Sequence, residues 1–154
     1  MLTELLRKEH IARQVSVSDW ESAIRYAGRL LVNTGSVEPR YVEQMVAISK
    51  ESGPYIVIVP GVALAHARPS DGVNRLCMSL VTLAHPLEFG SADNDPVRVV
   101  IALAALDNNL HLSALRELVQ FIGSPDNIDG LCQCTSDEAI LELFQTFRAS
   151  QPAS

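Results

Sequence analysis

Of the four histidines in this 154-residue chain, two sit where a break in the backbone pattern exposes a side chain among apolar neighbours. His66 lies in Pro60-Gly61-Val62-Ala63-Leu64-Ala65-His66-Ala67-Arg68-Pro69, a loop predicted between two strands, where glycine and prolines fix the chain. His111 follows Asp107-Asn108-Asn109-Leu110 at a predicted helix start, where unpaired N–H groups and the helix dipole favour an anion. A neutral imidazole is a competent nucleophile near pH 7, and its phosphoramidate keeps a transfer potential that a phosphoserine lacks. Moving a phosphoryl group demands in-line positioning and donors for the equatorial oxygens more than covalent machinery. A second imidazole, a helix N-terminus and an arginine would suffice, and His111 and Arg68 could supply them. On extended chain His66 and Arg68, two residues apart, project to one side, which makes Arg68 a candidate oxygen clamp. Each residue also has a plainer reading: a loop-capping histidine, a first-turn histidine without a task, a solvated arginine. His10, in a charged opening, and His85, before Pro86 at a strand end, have weaker claims.

Other chemistries lack their signatures. The chain has no GxxxxGK[ST] phosphate loop, GxGxxG turn, HExxH helix or GxSxG elbow. A metal set drawn from His66, Asp71, His111 and Cys132 has no diagnostic spacing, so neither metal nor cofactor is expected. Cys77, Cys132 and Cys134 cannot all pair within one chain and read as reduced, structural thiols. A net charge of −6 without a basic run opposes a nucleic-acid backbone, so no nucleic-acid partner is expected. No stretch approaches the roughly 20 apolar residues of a membrane span, and Met1 to His10 alternates charge with leucine. A cytoplasmic protein without membrane insertion is therefore expected.

The elements that must position these residues can be read from periodicity. Ile11 to Val17 suits a first strand. Ser18-Asp19-Trp20-Glu21 reads as a capping box opening a helix with Trp20, Ala23, Ile24, Ala27, Leu30 and Leu31 on one face, ended by Asn33-Thr34-Gly35. Pro39 then opens a second helix with Val42, Met45, Val46 and Ser49 inward, broken by Gly53-Pro54. Tyr55 to Val59, Leu76 to Leu83 and Val97 to Ala105 are apolar, β-rich runs suited to strands covered on both faces. Helices follow from His111 to Ile122 and from the Thr135-Ser136-Asp137-Glu138 cap, burying Ile140, Leu143, Phe144 and Phe147. The fold class expected is α/β: a three-layer α/β/α sandwich around a mixed, mostly buried sheet of about four to five strands. Residues 1–149 are expected to form one domain, and residues 150–154 a flexible tail.

Gly61-Val62-Ala63-Leu64-Ala65-His66-Ala67 resembles the G-[IV]-A-[IL]-P-H-[AG] active-site motif of enzyme IIA domains of the sugar phosphotransferase system, mannitol-fructose superfamily. Pro86-Leu87-Glu88-Phe89-Gly90 resembles that family's turn, Asp95-Pro96-Val97 its approach to the next strand, and His111-Leu112-Ser113-Ala114-Leu115 its H-L-x-x-L helix start. Gly53 to Ile58 and the His66-Ala67-Arg68-Pro69 ending look most like the ascorbate-type branch. The resemblance implies a phosphocarrier that accepts phosphate from the phosphohistidine of HPr on His66, with His111 as the supporting histidine. It then passes the group to a cysteine of a IIB component during uptake. Ala65 departs from the motif by standing where proline is usual, which removes a φ restraint and adds an N–H donor. By its distance from the histidine, Lys50 is nearest the place of an arginine that mannitol-type members carry on the second helix. The alternative is a regulatory relative of nitrogen type, whose phosphorylation state controls a target protein. The oligomeric state is not legible here.

Overall fold

The structure, a computed structural model, describes residues 5–150, except the side chains of residues 108–111, 113–114 and 148–150. Five strands form one mixed sheet: β1 (Leu6–Val15), β2 (Val57–Val59), β3 (Val62–Ala65), β4 (Cys77–Leu87) and β5 (Val97–Ala104). Their order across the sheet is β1-β4-β5-β3-β2, with β1 parallel to β4, β4 antiparallel to β5, β5 parallel to β3 and β3 antiparallel to β2. Helices α1 (Trp20–Asn33) and α2 (Pro39–Ser52) follow β1; α3 (Asn108–Ile122), α4 (Pro125–Gln133) and α5 (Asp137–Ser150) follow β5.

The two-residue period of the strands divides the apolar residues between two cores. Ala63, Ala65, Val100, Ala102 and Ala104 turn toward α1 and α2, packing with Ile24, Leu31, Tyr41 and Met45. Val62, Leu64, Val99, Ile101 and Leu103 turn the other way, packing with Leu118 and Phe121 of α3, Leu131 of α4 and Ile140 and Phe144 of α5. Phe121 stacks on Phe144 at a centroid distance of 4.1 Å, and Phe147 meets it edge-on at 5.2 Å. Burial on both faces explains the nearly unbroken apolar runs of β4 and β5 and makes the molecule the expected three-layer sandwich. Small residues on the α1–α2 side let those helices come close: a Cβ added at Gly28 would lie 2.7 Å from Val42.

Local signals account for the helix starts. The Asp19 carboxylate accepts the Ser22 N–H at 2.8 Å, so the cap is Asp19, one residue beyond the Ser18 of the expected box, and Glu21 is not its reciprocal partner. Ser136 likewise accepts from the Ala139 N–H at 3.1 Å before α5. Several boundaries differ from expectation. β1 begins earlier and ends earlier, at Leu6 and Val15, because parallel pairing with Met78 to Leu83 carries it through its charged opening. Tyr55 to Val59 is not one doubly covered strand: Pro54–Ile56 makes a 3-10 turn, and the short β2 is an edge strand with Ile58 exposed. Gly61, at φ +83°, then reverses the chain into β3, a strand within the segment expected to be loop. Its Val-Ala-Leu-Ala sequence has little intrinsic β preference and is held by ladder pairing with β5. β4 continues through His85 and Pro86 because its pairing with β5 is irregular between Thr82 and Leu87, where proline costs no regular ladder bond. α3 starts at Asn108, ahead of His111, and α4 is a helix that periodicity did not suggest; Pro125 at its first position is its sequence signal. Residues 151–154, most of the expected tail, lie outside the described residues, and Ser150 closes the α5 backbone.

Candidate active site

β3 and β5 lie side by side and parallel, with Ala65 opposite Ala102, so the chain after each strand leaves the sheet at one edge. His66 follows β3 there, and the β5 chain passes through Leu106 into α3, whose first turn carries His111. The structure thus brings the backbone positions of both histidines to one sheet edge; the His111 side chain lies outside the described residues. His66 is exposed between two buried neighbours, Ala65 at 0% and Ala67 at 9% exposure. The strand alternation, kept through Ala67 in the first core, assigns His66 to the α3 side of the sheet.

The ring is oriented by its own strand. His66 Nδ1 lies 3.3 Å from the Leu64 carbonyl oxygen, and because a carbonyl can only accept, this contact selects the tautomer with its proton on Nδ1. The lone pair then resides on Nε2. Just downstream, the Ala67 N–H donates to the Tyr41 hydroxyl at 3.0 Å, and that hydroxyl donates to the Leu103 carbonyl at 2.7 Å. Burial pushes the Tyr41 phenol up to about 12, so it stays protonated.

Arg68 caps the 3-10 turn Pro69–Asp71. Its N–H donates to the Asp71 carboxylate at 2.9 Å, while its guanidinium, with Nε 3.9 Å from Asp71 Oδ2, is largely in solvent. The loop continues into contacts with the α1–α2 connection: the Glu38 N–H donates to the Gly72 carbonyl and the Asn74 N–H to the Ser36 carbonyl. Arg68 therefore belongs to the same loop as His66, with a side chain that can be redirected.

Lys50 does not join them. It is in the last turn of α2 and pairs with Glu21 in the first turn of α1 at 3.3 Å. Tyr41, at the other end of α2, touches the His66 loop, and nine residues at about 1.5 Å rise set Lys50 roughly 13 Å further along the helix. Lys50 instead lines a recess with Trp20, Glu21, Pro54 and Phe89 at the opposite edge of the sheet. Distance in sequence misled because the helix runs away from the site. Neither His10 nor His85 joins it: His10 is fully buried in β1 with Nε2 2.7 Å from Thr34 Oγ1, and His85 is exposed near the far end of β4. Among the described residues no cluster of three His, Cys, Asp or Glu side chains could hold a metal ion. Burial pushes the Cys77 thiol up to about 12 and raises Cys132 and Cys134, which suits inert thiols. Tyr41 was not singled out in the sequence, although a polar-tipped aromatic on the apolar face of a helix was a usable signal.

The second motif forms a structural loop at the other sheet edge. The Asp95 carboxylate accepts the N–H groups of Phe89, Gly90 and Ser91 at 2.8 to 3.0 Å. Asn94 donates to the Val57 carbonyl at 2.9 Å and accepts from the Gly61 N–H, tying this loop to the β2–β3 turn.

A three-layer fold with an exposed, backbone-oriented imidazole at a strand end suits a protein that carries a phosphoryl group. Residues 4–146 match the family described as phosphoenolpyruvate-dependent sugar phosphotransferase system, EIIA 2, and the chain belongs to that family. It is similar to the ascorbate-specific PTS system EIIA component of Escherichia coli (strain K12), at 37% identity over 95% of this chain and 96% of that protein. Among solved structures it resembles enzyme IIAMTL in its complex with phosphorylated enzyme IIBMTL from Escherichia coli, with a TM-score of 0.81, 28% identity and coverage of 92% of this chain and 99% of that chain. It also resembles IIA mannitol from Escherichia coli, with a TM-score of 0.78, 29% identity and coverage of 90% of this chain and 97% of that one. The chain is thus an enzyme IIA component of a sugar phosphotransferase system, and the nitrogen-type regulatory alternative gives way to that role.

Proposed function

We propose that His66 is the phosphoryl acceptor, that HPr is its donor, and that a IIB cysteine receives the group during uptake of ascorbate or a related carbohydrate. The observation that carries this reading is the exposed His66 ring whose Nδ1–H is held by the Leu64 carbonyl. That bond directs the Nε2 lone pair to phosphorus. As the new N–P bond forms, the N–P bond of the donor phosphohistidine, protonated on its other ring nitrogen, breaks, and its electron pair returns to the donor ring, which leaves as neutral imidazole. His66 becomes a phosphoimidazolium that keeps its Nδ1 proton, and the hydrogen bond to Leu64 strengthens as the ring gains charge. His111 at the α3 N-terminus supplies a donor to the equatorial oxygens, and Arg68 swings from Asp71 to clamp another.

The ascorbate assignment follows the name of the Escherichia coli relative. A IIB partner agrees with the complex that the mannitol relative forms. No helix among the described residues is long and apolar enough to cross a membrane, and we place the carrier in the cytoplasm, with residues 1–149 working as one unit. The test is incubation with phosphoenolpyruvate, enzyme I and HPr, followed by a IIB acceptor. Wild type should take up acid-labile phosphate on Nε2, and His66→Ala should fold normally and take up none. Label persisting on that variant would sink the assignment. His111→Ala should still be labelled but should pass the group to IIB roughly tenfold or more slowly, the usual consequence of losing one aligned donor. Unchanged rates of both steps would remove His111 from the mechanism.

A further inference from the structure

The β3–β5 ladder ends at the pair Ala65 and Ala102, one residue before His66. Beyond it the two chains part, and the Tyr41 hydroxyl fills the gap. It accepts the Ala67 N–H at 3.0 Å and donates to the Leu103 carbonyl at 2.7 Å, with the Ala67 carbonyl a longer alternative at 3.4 Å. Tyr41 is fully buried, on α2, and so joins three elements at one oxygen. His66 is consequently gripped on both sides, by the ladder before it and by the phenol after it. The same oxygen holds the end of β5, from which the chain proceeds into α3 and His111. Ala65 stands where the family motif has a proline, so the chain before His66 lacks a ring restraint, and the phenol supplies one from the other side.

We infer that Tyr41 is a positioning residue for phosphoryl transfer: its buried hydroxyl, bridging Ala67 and Leu103, holds the His66 loop against the end of β5 so that the imidazole meets the phosphoryl group in line. The inference rests on His66 as the acceptor. Tyr41 touches no reacting atom. Its effect is geometric, because an in-line transfer loses rate steeply when the nucleophile is displaced by about 1 Å. Because burial keeps the phenol protonated, both hydrogen bonds persist across the working pH range.

The experiment compares Tyr41→Phe, which deletes one oxygen, with Thr82→Val, which deletes another buried hydroxyl, the acceptor of the Gln14 N–H, away from the site edge. Transfer from phosphorylated HPr is followed by rapid quench over a range of donor concentrations, and stability by urea unfolding. Positioning predicts that Tyr41→Phe lowers the rate constant at saturating donor by roughly tenfold to a hundredfold with KM little changed, while Thr82→Val keeps the wild-type rate constant even where it is equally destabilised. A wild-type rate constant in Tyr41→Phe, or an equal loss in Thr82→Val, would overturn the inference. Should Tyr41→Phe fail to fold, hydrogen exchange of the wild-type protein decides: the Ala67 amide, outside the ladder, should be protected like those of β3, and exchange at the rate of an open loop would reject the bridge. His66→Ala run alongside separates the two readings, since label on that variant discards the acceptor assignment whatever Tyr41→Phe does.

Discussion

His10 shows how one residue type can serve opposite ends in one fold. His66 ends a strand in solvent, whereas His10 is in the middle of one, fully buried, with Nε2 on Thr34 and no hydrogen bond of normal geometry at Nδ1 among the described residues. Burial first, then the charge of Arg7, hold its pKa below the usual histidine value; Glu9 opposes them, Arg75 adds a smaller lowering effect, and the Met78 backbone opposes least. Thr34 also bonds Ser36, and Arg75 Nε donates to Ser36 at 2.9 Å, so a proton on His10 would bring a second cation into a polar cluster that already holds one. The unfolded chain, with a histidine pKa near 6.5, binds that proton more readily than the folded one. Stability from neutral His10 is therefore complete above about pH 6.5 and is lost as pH falls through the lower folded value. Urea unfolding of wild type between pH 7.5 and 5 should show a fall that His10→Gln lacks in part. Parallel profiles for the two proteins would assign the pH dependence to other groups.

At the scale of elements, the loop from Phe89 to Asp95 and the loop after β3 divide the work between the two edges of the sheet. Three N–H groups converge on the single Asp95 carboxylate, which makes that residue the organiser of its loop. The nearby Glu88 carboxyl is raised above its usual pKa by its hydrogen bond to Asp95. Asp95→Ala should leave those N–H groups to water and lower stability by about 2–4 kcal/mol, measured by urea unfolding. The folded fraction should transfer phosphate at the wild-type rate, because the loop lies at the other edge from His66. A loss below about 0.5 kcal/mol would mean that solvent replaces the carboxylate fully.

Across the whole molecule the sheet is the common wall of two cores, and β5 is its axis. Ile101, fully buried, faces α3 to α5, while Val100 and Ala102 beside it face α1 and α2. Ile101→Ala should cost about 2–5 kcal/mol through lost burial and an unfilled cavity. Val119→Ala, at a half-exposed position on α3, should stay within about 0.5 kcal/mol. Similar effects of the two changes in urea unfolding would contradict the layered packing.

The sequence by itself determined the layers, because apolar runs as continuous as Leu76 to Leu83 and Val97 to Ala105 cannot face water and must carry helices on both sides. It also determined His66 as the candidate, since a short motif with an exposed imidazole is a local property. Only the tertiary structure decided that Val62 to Ala65 is a strand, for its weak propensity is overridden by a ladder with β5, thirty-seven residues further along the chain. It alone set Lys50 at the far end of α2, since a distance along a helix does not measure approach to a loop. And it alone brought in Tyr41, whose hydroxyl joins α2, the chain after β3 and the end of β5. Hydrogen bonds across twenty-six and sixty-two residues depend on how helices settle on a sheet, and that packing is the free-energy balance of the whole chain.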